Sequence, residues 1–271
     1  MEKRQLNICT TCGTAVTIFR SLPSLCPICN DDRQYIGSEG QQWTSLEALS
    51  NQRTIAVRPV SGGLYSLKIT PSFAIGQRAF FIESKSGNIL WDCIPFINDE
   101  TVSFIRRKGG LKAIIISHPH YYSLMAEWAK AFDCKVYLHQ ADRQWVFCSD
   151  ENIEFWNNER LELWDGIAVI NTAGHFDGSC VLHLPAHHPG GILVTGDSLY
   201  VTRNGKALTF MYSYPNHIPL PARAIRKIRK ALAGLDFERI YGAFEWADIE
   251  KDGRSVFDRS VTAYLAILDA S

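Results

Sequence analysis

An apolar run, Ala113-Ile114-Ile115-Ile116-Ser117, stops abruptly at His118-Pro119-His120. A short, uniformly apolar run reads as a buried strand. Leu124, Trp128 and Phe132 then recur four residues apart, and the spacing predicts a helix over 121–132. The chain is thereby committed to a strand, a loop stiffened by Pro119, and a helix. Two imidazoles leave the strand at its C-terminal lip. Such a pair is placed to hold a divalent metal, and a metal there points to chemistry on water.

Elsewhere in 53–271 the pattern falls into two halves. Short β-rich runs at 54–60, 64–70, 79–83 and 88–92 are broken by Gly62-Gly63, Gly76 and Gly87. Strands follow at 112–117 and 135–138 around the predicted helix. A second set of strands is expected at 167–171, 179–184 and 191–195. A basic amphipathic helix over about 220–233, a strand at 237–241 and a last helix over about 254–268 complete the chain. Two β-rich halves with helices at comparable places suggest two sheets packed together with helices outside, an α/β (α+β) architecture.

Residues 1–36 form a separate unit. Cys9-Thr10-Thr11-Cys12 and Cys26-Pro27-Ile28-Cys29 are two Cys-x-x-Cys knuckles with 13 residues between them. Each offers two thiolates to one tetrahedral ion, and Gly13 permits the tight path after the first. Soft sulfur donors select zinc, less often iron. So short a segment cannot bury enough apolar surface to fold alone, so metal supplies its folding energy. We therefore expect a structural Zn²⁺ in a four-cysteine zinc ribbon. Such ribbons bind nucleic acid, grip a protein partner, or brace a neighbouring domain, and the sequence leaves these open. Residues 37–52 are polar and read as a linker or irregular cover.

The bulk properties exclude several classes. With 28 basic and 28 acidic residues, no global field points to nucleic acid or an acidic membrane. No apolar stretch is long enough to span a bilayer. The first residues lack the apolar core of a secretion signal. A cytoplasmic, reducing setting is expected, with the eight cysteines serving as thiols and metal ligands rather than disulfides. Arg223, Arg226, Lys227, Arg229 and Lys230 make one basic helix face, by default a solvated one.

Three further polar residues sit where apolar runs stop: His175 after Thr172-Ala173-Gly174, Asp197 after Leu193-Val194-Thr195-Gly196, and Asp92 after Ile89-Leu90-Trp91. Three imidazoles and a carboxylate make a site for Zn²⁺ with a position left for water. The ion lowers that water's pKa and polarises a substrate oxygen. Asp92 either steadies a ligand histidine's tautomer or simply turns the chain.

These residues, in this order, resemble the metallo-β-lactamase fold superfamily, which includes glyoxalase II-like hydrolases. The resemblance covers about 53–271 and rests on Asn88-Ile89-Leu90-Trp91-Asp92, Ser117-His118-Pro119-His120, Gly174-His175 and Thr195-Gly196-Asp197. It implies a four-layer αββα sandwich of two mixed sheets, with the metal at one edge. By position, His118, His120 and His175 match the ligands of the family's first metal site. Asp197 matches the carboxylate that bridges two metals. The chain departs from the usual His-x-His-x-Asp-His: Tyr122 stands in place of the Asp and Ser123 in place of the second His. The late histidine gives way to Tyr241-Gly242-Ala243-Phe244-Glu245-Trp246. A mononuclear site held by His118, His120, His175 and Asp197 is therefore expected, with partial substitution by Glu245 the minor alternative.

The resemblance implies a hydrolase of an ester, thioester, amide or phosphoester. A metal-bound water or hydroxide attacks a small-molecule substrate. Asp197 ligates the ion, acts as base, or does both at different stages. Tyr121 or Tyr122 offers a hydrogen bond to a developing oxyanion, unless both tyrosines only pack on the following helix. Two alternatives stay open. One is a non-haem Fe²⁺ oxidoreductase of the sulfur-oxidising type using His118, His175 and Asp197, with His120 apart. The other is a catalytically weak metal-binding scaffold. His217 and Tyr214 lie in an aromatic loop that can fold over the pocket. His139, His183, His187 and His188 read as structural or solvated, and Cys93, Cys134, Cys148 and Cys180 as small buried side chains. Substrate identity and oligomeric state are not fixed by the sequence.

Overall fold

Side-chain alternation along the central strands explains why two sheets stack. In the strand Arg78–Ile82, Phe80 and Ile82 join one apolar cluster while Ala79 and Phe81 join another. Successive side chains point to opposite faces, so a strand with apolar side chains on both faces must be covered twice. The computed structural model describes residues 6–17, 21–148 and 151–270.

In chain order, the ribbon carries β1 (Asn7–Cys9), β2 (Ala15–Val16) and β3 (Trp43–Ser45), followed by α1 (Leu46–Ser50). The first large sheet is built from β4 (Thr54–Ser61), β5 (Leu64–Thr70), β6 (Arg78–Ile82), β7 (Ile89–Trp91), β8 (Ala113–Ile115), β9 (Lys135–His139) and β10 (Ile153–Trp156). These seven strands lie in the order β10-β9-β8-β7-β6-β5-β4, antiparallel from β4 to β7 and parallel from β7 to β10. Helices α2 (Asp99–Arg107) and α3 (Met125–Phe132) cover its outer face through Ile105, Met125, Trp128 and Ala129.

The second sheet holds β11 (Arg160–Glu162), β12 (Ala168–Asn171), β13 (Cys180–Leu184) and β14 (Ile192–Val194), and, later in the chain, the strands Arg239–Tyr241 and Asp248–Ile249. Between them come two small hairpins, β15 (Tyr200–Val201) with β16 (Leu208–Thr209) and β17 (Met211–Ser213) with β18 (Ile218–Pro219). Next in chain order are α4 (Ala222–Ala231), β19 (Arg239–Tyr241), β20 (Asp248–Ile249) and α5 (Gly253–Asp269). Ile225 and Ile228 of α4 and Phe257, Val261 and Leu265 of α5 pack on the sheet's outer face. The basic residues of α4 are all exposed, as a solvated face requires.

Between the sheets, Phe80, Ile82, Ile89, Trp91 and Ile115 from one side meet Val169, Leu182, Leu184, Ile192 and Val194 from the other. The result is the expected four-layer αββα sandwich. No helix among the described residues is long and apolar enough to cross a membrane.

Three local expectations changed. The predicted helix over 121–132 starts later. Pro119–Tyr121 is a 3-10 turn, Ser123 has φ +35°, and α3 begins only at Met125. The left-handed residue breaks the helical path. The stretch 37–52, expected as a linker, contributes β3, whose backbone pairs with β1 along Asn7–Cys9, and so closes the ribbon's own sheet. Helix α2 had no counterpart in the sequence reading. Asn98 caps it, its side chain accepting from the Thr101 N–H at 3.0 Å.

Candidate metal centres

The ribbon brings Cys9, Cys12, Cys26 and Cys29 into one buried cluster. Cys9 Sγ lies 3.7 Å from Cys29 Sγ, and Cys12 Sγ 3.6 Å from Cys26 Sγ. A tetrahedron of sulfurs about 2.3 Å from a zinc ion has edges of roughly 3.8 Å, so the donor set fits. Hydrogen bonding, above all from Cys12, pushes the Cys9 thiol down, while burial pushes Cys12 up. Buried sulfurs this close cannot all ionise without a cation among them. Gly13 follows the first knuckle at φ +81°, with Pro95 so close that a Cβ would lie 2.6 Å from it.

The second cluster forms where strand ends meet. His118 and His120 leave β8 through the 3-10 turn. His175 sits in the loop between β12 and β13, and Asp197 in the turn after β14. Their ligand atoms lie within 4.8 Å of one another, and all four residues are buried. His120 Nδ1 is 3.2 Å from His175 Nε2; Asp197 Oδ2 is 3.5 Å from His118 Nε2 and 3.9 Å from His175 Nε2. Nitrogens about 2.0–2.1 Å from a tetrahedral zinc are separated by roughly 3.3 Å, so this set also fits. His118 Nε2 is buried with no hydrogen-bond partner among the described residues, as a lone pair waiting for a cation would be. Gly196 makes the approach possible: a Cβ there would stand 2.5 Å from Ser117 Oγ.

Neighbouring groups fix the rings. His175 Nδ1 faces the Met211 carbonyl at 3.1 Å. A carbonyl only accepts, so Nδ1 carries the proton and Nε2 is free to ligate. His118 Nδ1 meets Ser117 Oγ at 2.9 Å. Asp92 accepts the Ser117 N–H at 2.7 Å, so it reaches the ligand through Ser117 rather than touching it. Burial and, next, His118 push His175 down to about 3, and burial with His175 and His118 pushes His120 down. The His120 and His175 rings are therefore neutral at pH 7, the ligating form. Burial works against the Asp197 anion, but the adjacent His118 side chain and the Tyr121 hydroxyl hold the carboxyl below its usual value.

The two candidate tyrosines separate. The Tyr121 hydroxyl donates to Asp197 Oδ1 at 2.6 Å. Tyr122 is buried in the core on the side of α3, and its hydroxyl makes no hydrogen bond with the cluster. The replacements for second-site ligands stay outside as well. Ser123 accepts from Gln77, and Glu245 pairs with Lys68 at 2.8 Å and Arg58 at 3.3 Å. Among the described residues, only the two clusters above bring three or more such donors together. His120 is inside the cluster, whereas the iron alternative required it to stand apart.

A cavity of about 260 Å³ opens on His120, His175 and Asp197, with walls from Gln34, Ile75, Tyr200, Tyr214, Pro215 and Phe244. The aromatic loop does cover the pocket, through Tyr214, whose hydroxyl donates to the Asp197 carbonyl at 2.9 Å. His217 instead is exposed. Gln34, Ile75 and Tyr200 had no place in the sequence reading. Only Tyr200 left a signal there, an aromatic three residues beyond Asp197.

Comparisons with known proteins agree with this geometry. A family model described as the metallo-beta-lactamase superfamily matches residues 74–243, which include every member of the imidazole cluster. "Uncharacterized protein YmaE" from Bacillus subtilis (strain 168) is 40% identical over 266 residues, spanning 97% of each chain and therefore the ribbon too. Among solved structures, the VMB-1 crystal structure at pH 5.5 is 16% identical, with a TM-score of 0.58, covering 80% of this chain and 98% of its own. A B3 metallo-beta-lactamase with an active-site glutamic acid is 15% identical, with a TM-score of 0.55, covering 84% of this chain and 96% of its own. The metallo-beta-lactamase FIM-1 from Pseudomonas aeruginosa in its mono-zinc form is 14% identical, with a TM-score of 0.56, covering 79% and 95%. At these identities the structures speak for the fold alone.

Proposed function

The chain belongs to the metallo-beta-lactamase superfamily, and from that membership we propose that it is a hydrolase of small esters, thioesters or amides working at a mononuclear site. The observation that carries the proposal is the buried quartet His118, His120, His175 and Asp197, three of whose members, His120, His175 and Asp197, open onto a cavity. These four would hold Zn²⁺, or Fe²⁺ in its place, as the ribbon cysteines would hold a structural Zn²⁺. A bound ion supplies a Lewis acid and a water of lowered pKa.

The chain's own groups divide the remaining work. Asp197 stays ionised, and Tyr121 fixes its Oδ1. That leaves Oδ2, on the side of the imidazoles, to ligate or to take a proton. Tyr200 lines the cavity, and burial pushes its hydroxyl up to about 12, so it is a neutral donor at pH 7. Its hydroxyl makes no hydrogen bond among the described residues, and it is our candidate for holding a developing oxyanion. Ile75, Pro215 and Phe244 exclude water from the apolar part of a substrate. Among the described residues no lysine or arginine lines the cavity, which favours a neutral acyl group over a phosphoester, whose transferring oxygens call for cationic clamps.

The test is a metal count on native protein together with turnover on 4-nitrophenyl esters, thioesters, anilides and phosphodiesters. We expect two ions per wild-type chain and one in His118→Ala. Loss of a Lewis acid worth several kcal/mol should lower acyl turnover by ~1000-fold or more in that variant. Unchanged turnover in a His118→Ala protein lacking the pocket ion would end the proposal. A filled pocket with no turnover on any substrate would favour a scaffold.

A further inference from the structure

The ribbon does not stand off from the catalytic body. Its second knuckle runs on through Asn30 N–H to Cys26 C=O (2.9 Å), Asp31 N–H to Ile28 C=O (3.4 Å) and Gln34 N–H to Asp31 C=O (3.0 Å). The resulting turn, residues 31–34, is driven into the pocket wall. Arg33 Nε donates to the backbone carbonyl of His175 itself, at 2.6 Å. Its guanidinium lies 4.3 Å from the ring centres of both Phe176 and Tyr212, and Nη1 is held by both Asp31 oxygens at 2.8 and 3.0 Å. The turn also grips the facing loop. The Ser213 hydroxyl donates to the Arg33 carbonyl at 3.1 Å, and Asn216 Nδ2 to the carbonyls of Asp32 at 2.9 Å and Gln34 at 3.1 Å. That facing loop supplies the Met211 carbonyl that orients the His175 ring. Both the backbone and the ring of one ligand are thus set through a turn that hangs on the four cysteines. The same turn places Gln34 in the cavity wall.

We propose that the ribbon is a positioning element of the pocket: Arg33 holds His175 in place, and occupation of the four-sulfur site raises the affinity of the imidazole site for its ion. The proposal rests on the metal-centre assignment made above and extends it. Coupling of this kind is reciprocal, so filling the pocket also tightens the ribbon. Arg33 is a positioning residue, because it touches a ligand's backbone and not the ion or the substrate. Groups that orient a metal ligand commonly account for 10–100-fold in metal affinity.

The experiment is a cobalt(II) titration of the full-length chain, stripped of metal and refilled. Sulfur-to-cobalt charge transfer reports the ribbon, and the weaker visible bands report the pocket. In Arg33→Ala we expect ribbon affinity within twofold of wild type and pocket affinity lower by ~10-fold. Arg33→Lys keeps a cation and a donor but loses the planar fork, and should fall between the two. Cys26→Ser should weaken the ribbon and lower pocket affinity by a comparable factor. Adding Arg33→Ala to Cys26→Ser should cost little more, since both act through one contact. Pocket affinity within twofold of wild type in Arg33→Ala, or in Cys26→Ser with its ribbon empty, overturns the coupling alone. If Arg33→Ala does not fold, Arg33→Lys decides, and an unchanged pocket there overturns the coupling. A wild-type chain that takes cobalt only at sulfur overturns the pocket assignment and the coupling together.

Discussion

The ribbon cluster and the pocket cluster pose the same problem of buried donors crowded within a few ångströms, yet their surroundings differ. At the ribbon all four donors are cysteine sulfurs, none more than 2% exposed. In the pocket the donors are three imidazoles and a carboxylate, and His120, His175 and Asp197 face a cavity of about 260 Å³. Closed, all-sulfur sites hold a fold together, and mixed sites with an open side do chemistry. Under the proposed function the ribbon cluster holds the fold and the imidazole cluster does the chemistry, although the two lie in one continuous structure.

Substitutions that touch one cluster and spare the other sharpen this contrast. Beyond His118→Ala, the largest effect is expected from Tyr200→Phe, with turnover lower by ~100-fold through loss of one oxyanion donor. KM and both metal equivalents should stay near wild type in steady-state kinetics and elemental analysis. A normal turnover number would remove Tyr200 from the chemistry. Tyr121→Phe takes a hydrogen bond from the Asp197 carboxylate, an interaction worth about 2 kcal/mol. We expect turnover lower by ~10–30-fold with the ribbon's cobalt spectrum unchanged. An equal loss at both clusters would mean the contrast is false.

A smaller effect is expected from Asp142. Its Oδ1 accepts the Gly178 N–H at 2.8 Å in the His175 loop, and Oδ2 is buried with no partner among the described residues. Burial pushes the carboxyl from 3.8 up to about 7. The folded chain therefore binds this proton more tightly than the unfolded chain. That contribution to stability is whole below about pH 4 and is lost as the pH rises through 7. Asp142→Asn has no such loss. In urea unfolding its stability relative to wild type should rise by roughly 1–2 kcal/mol between about pH 5.5 and 8. A pH-independent difference would show that the group does not titrate there. Smallest of all is Glu245→Gln, which weakens a half-buried pair with Lys68 and an exposed one with Arg58, together worth about 0.5 kcal/mol. Metal content and turnover should be unchanged, and loss of a metal equivalent would reinstate Glu245 as a ligand.

The sandwich was legible wherever a strand is covered on both faces. β6 and β8 are apolar nearly throughout, and the ends of β8, β12 and β14 were marked by the polar residues that became the imidazole cluster. The cysteine knuckles were legible because their spacing serves a single tetrahedral ion. Other features were hidden for physical reasons. The cap at Asn98 and the acidic residues Asp99 and Glu100 did announce α2, but its apolar stripe is short. β3 is three residues long and gains its identity from pairing with β1. The Arg33 contact joins residues 142 apart in sequence, and no local pattern carries it. Tyr121 and Tyr122 were indistinguishable as neighbours. The 3-10 turn sends one toward Asp197 and the other into the core.

The wedging of residues 31–34 between the His175 loop and the 211–216 loop bears on modularity. Small cysteine ribbons are usually thought of as detachable, to be trimmed or exchanged between proteins. Here a cut before β4 would bare the flanks of Phe176 and Tyr212 to water and breach the chamber at Gln34. The ribbon and the sandwich therefore behave as one packed unit, and insertions are better tolerated at the exposed turn 203–206.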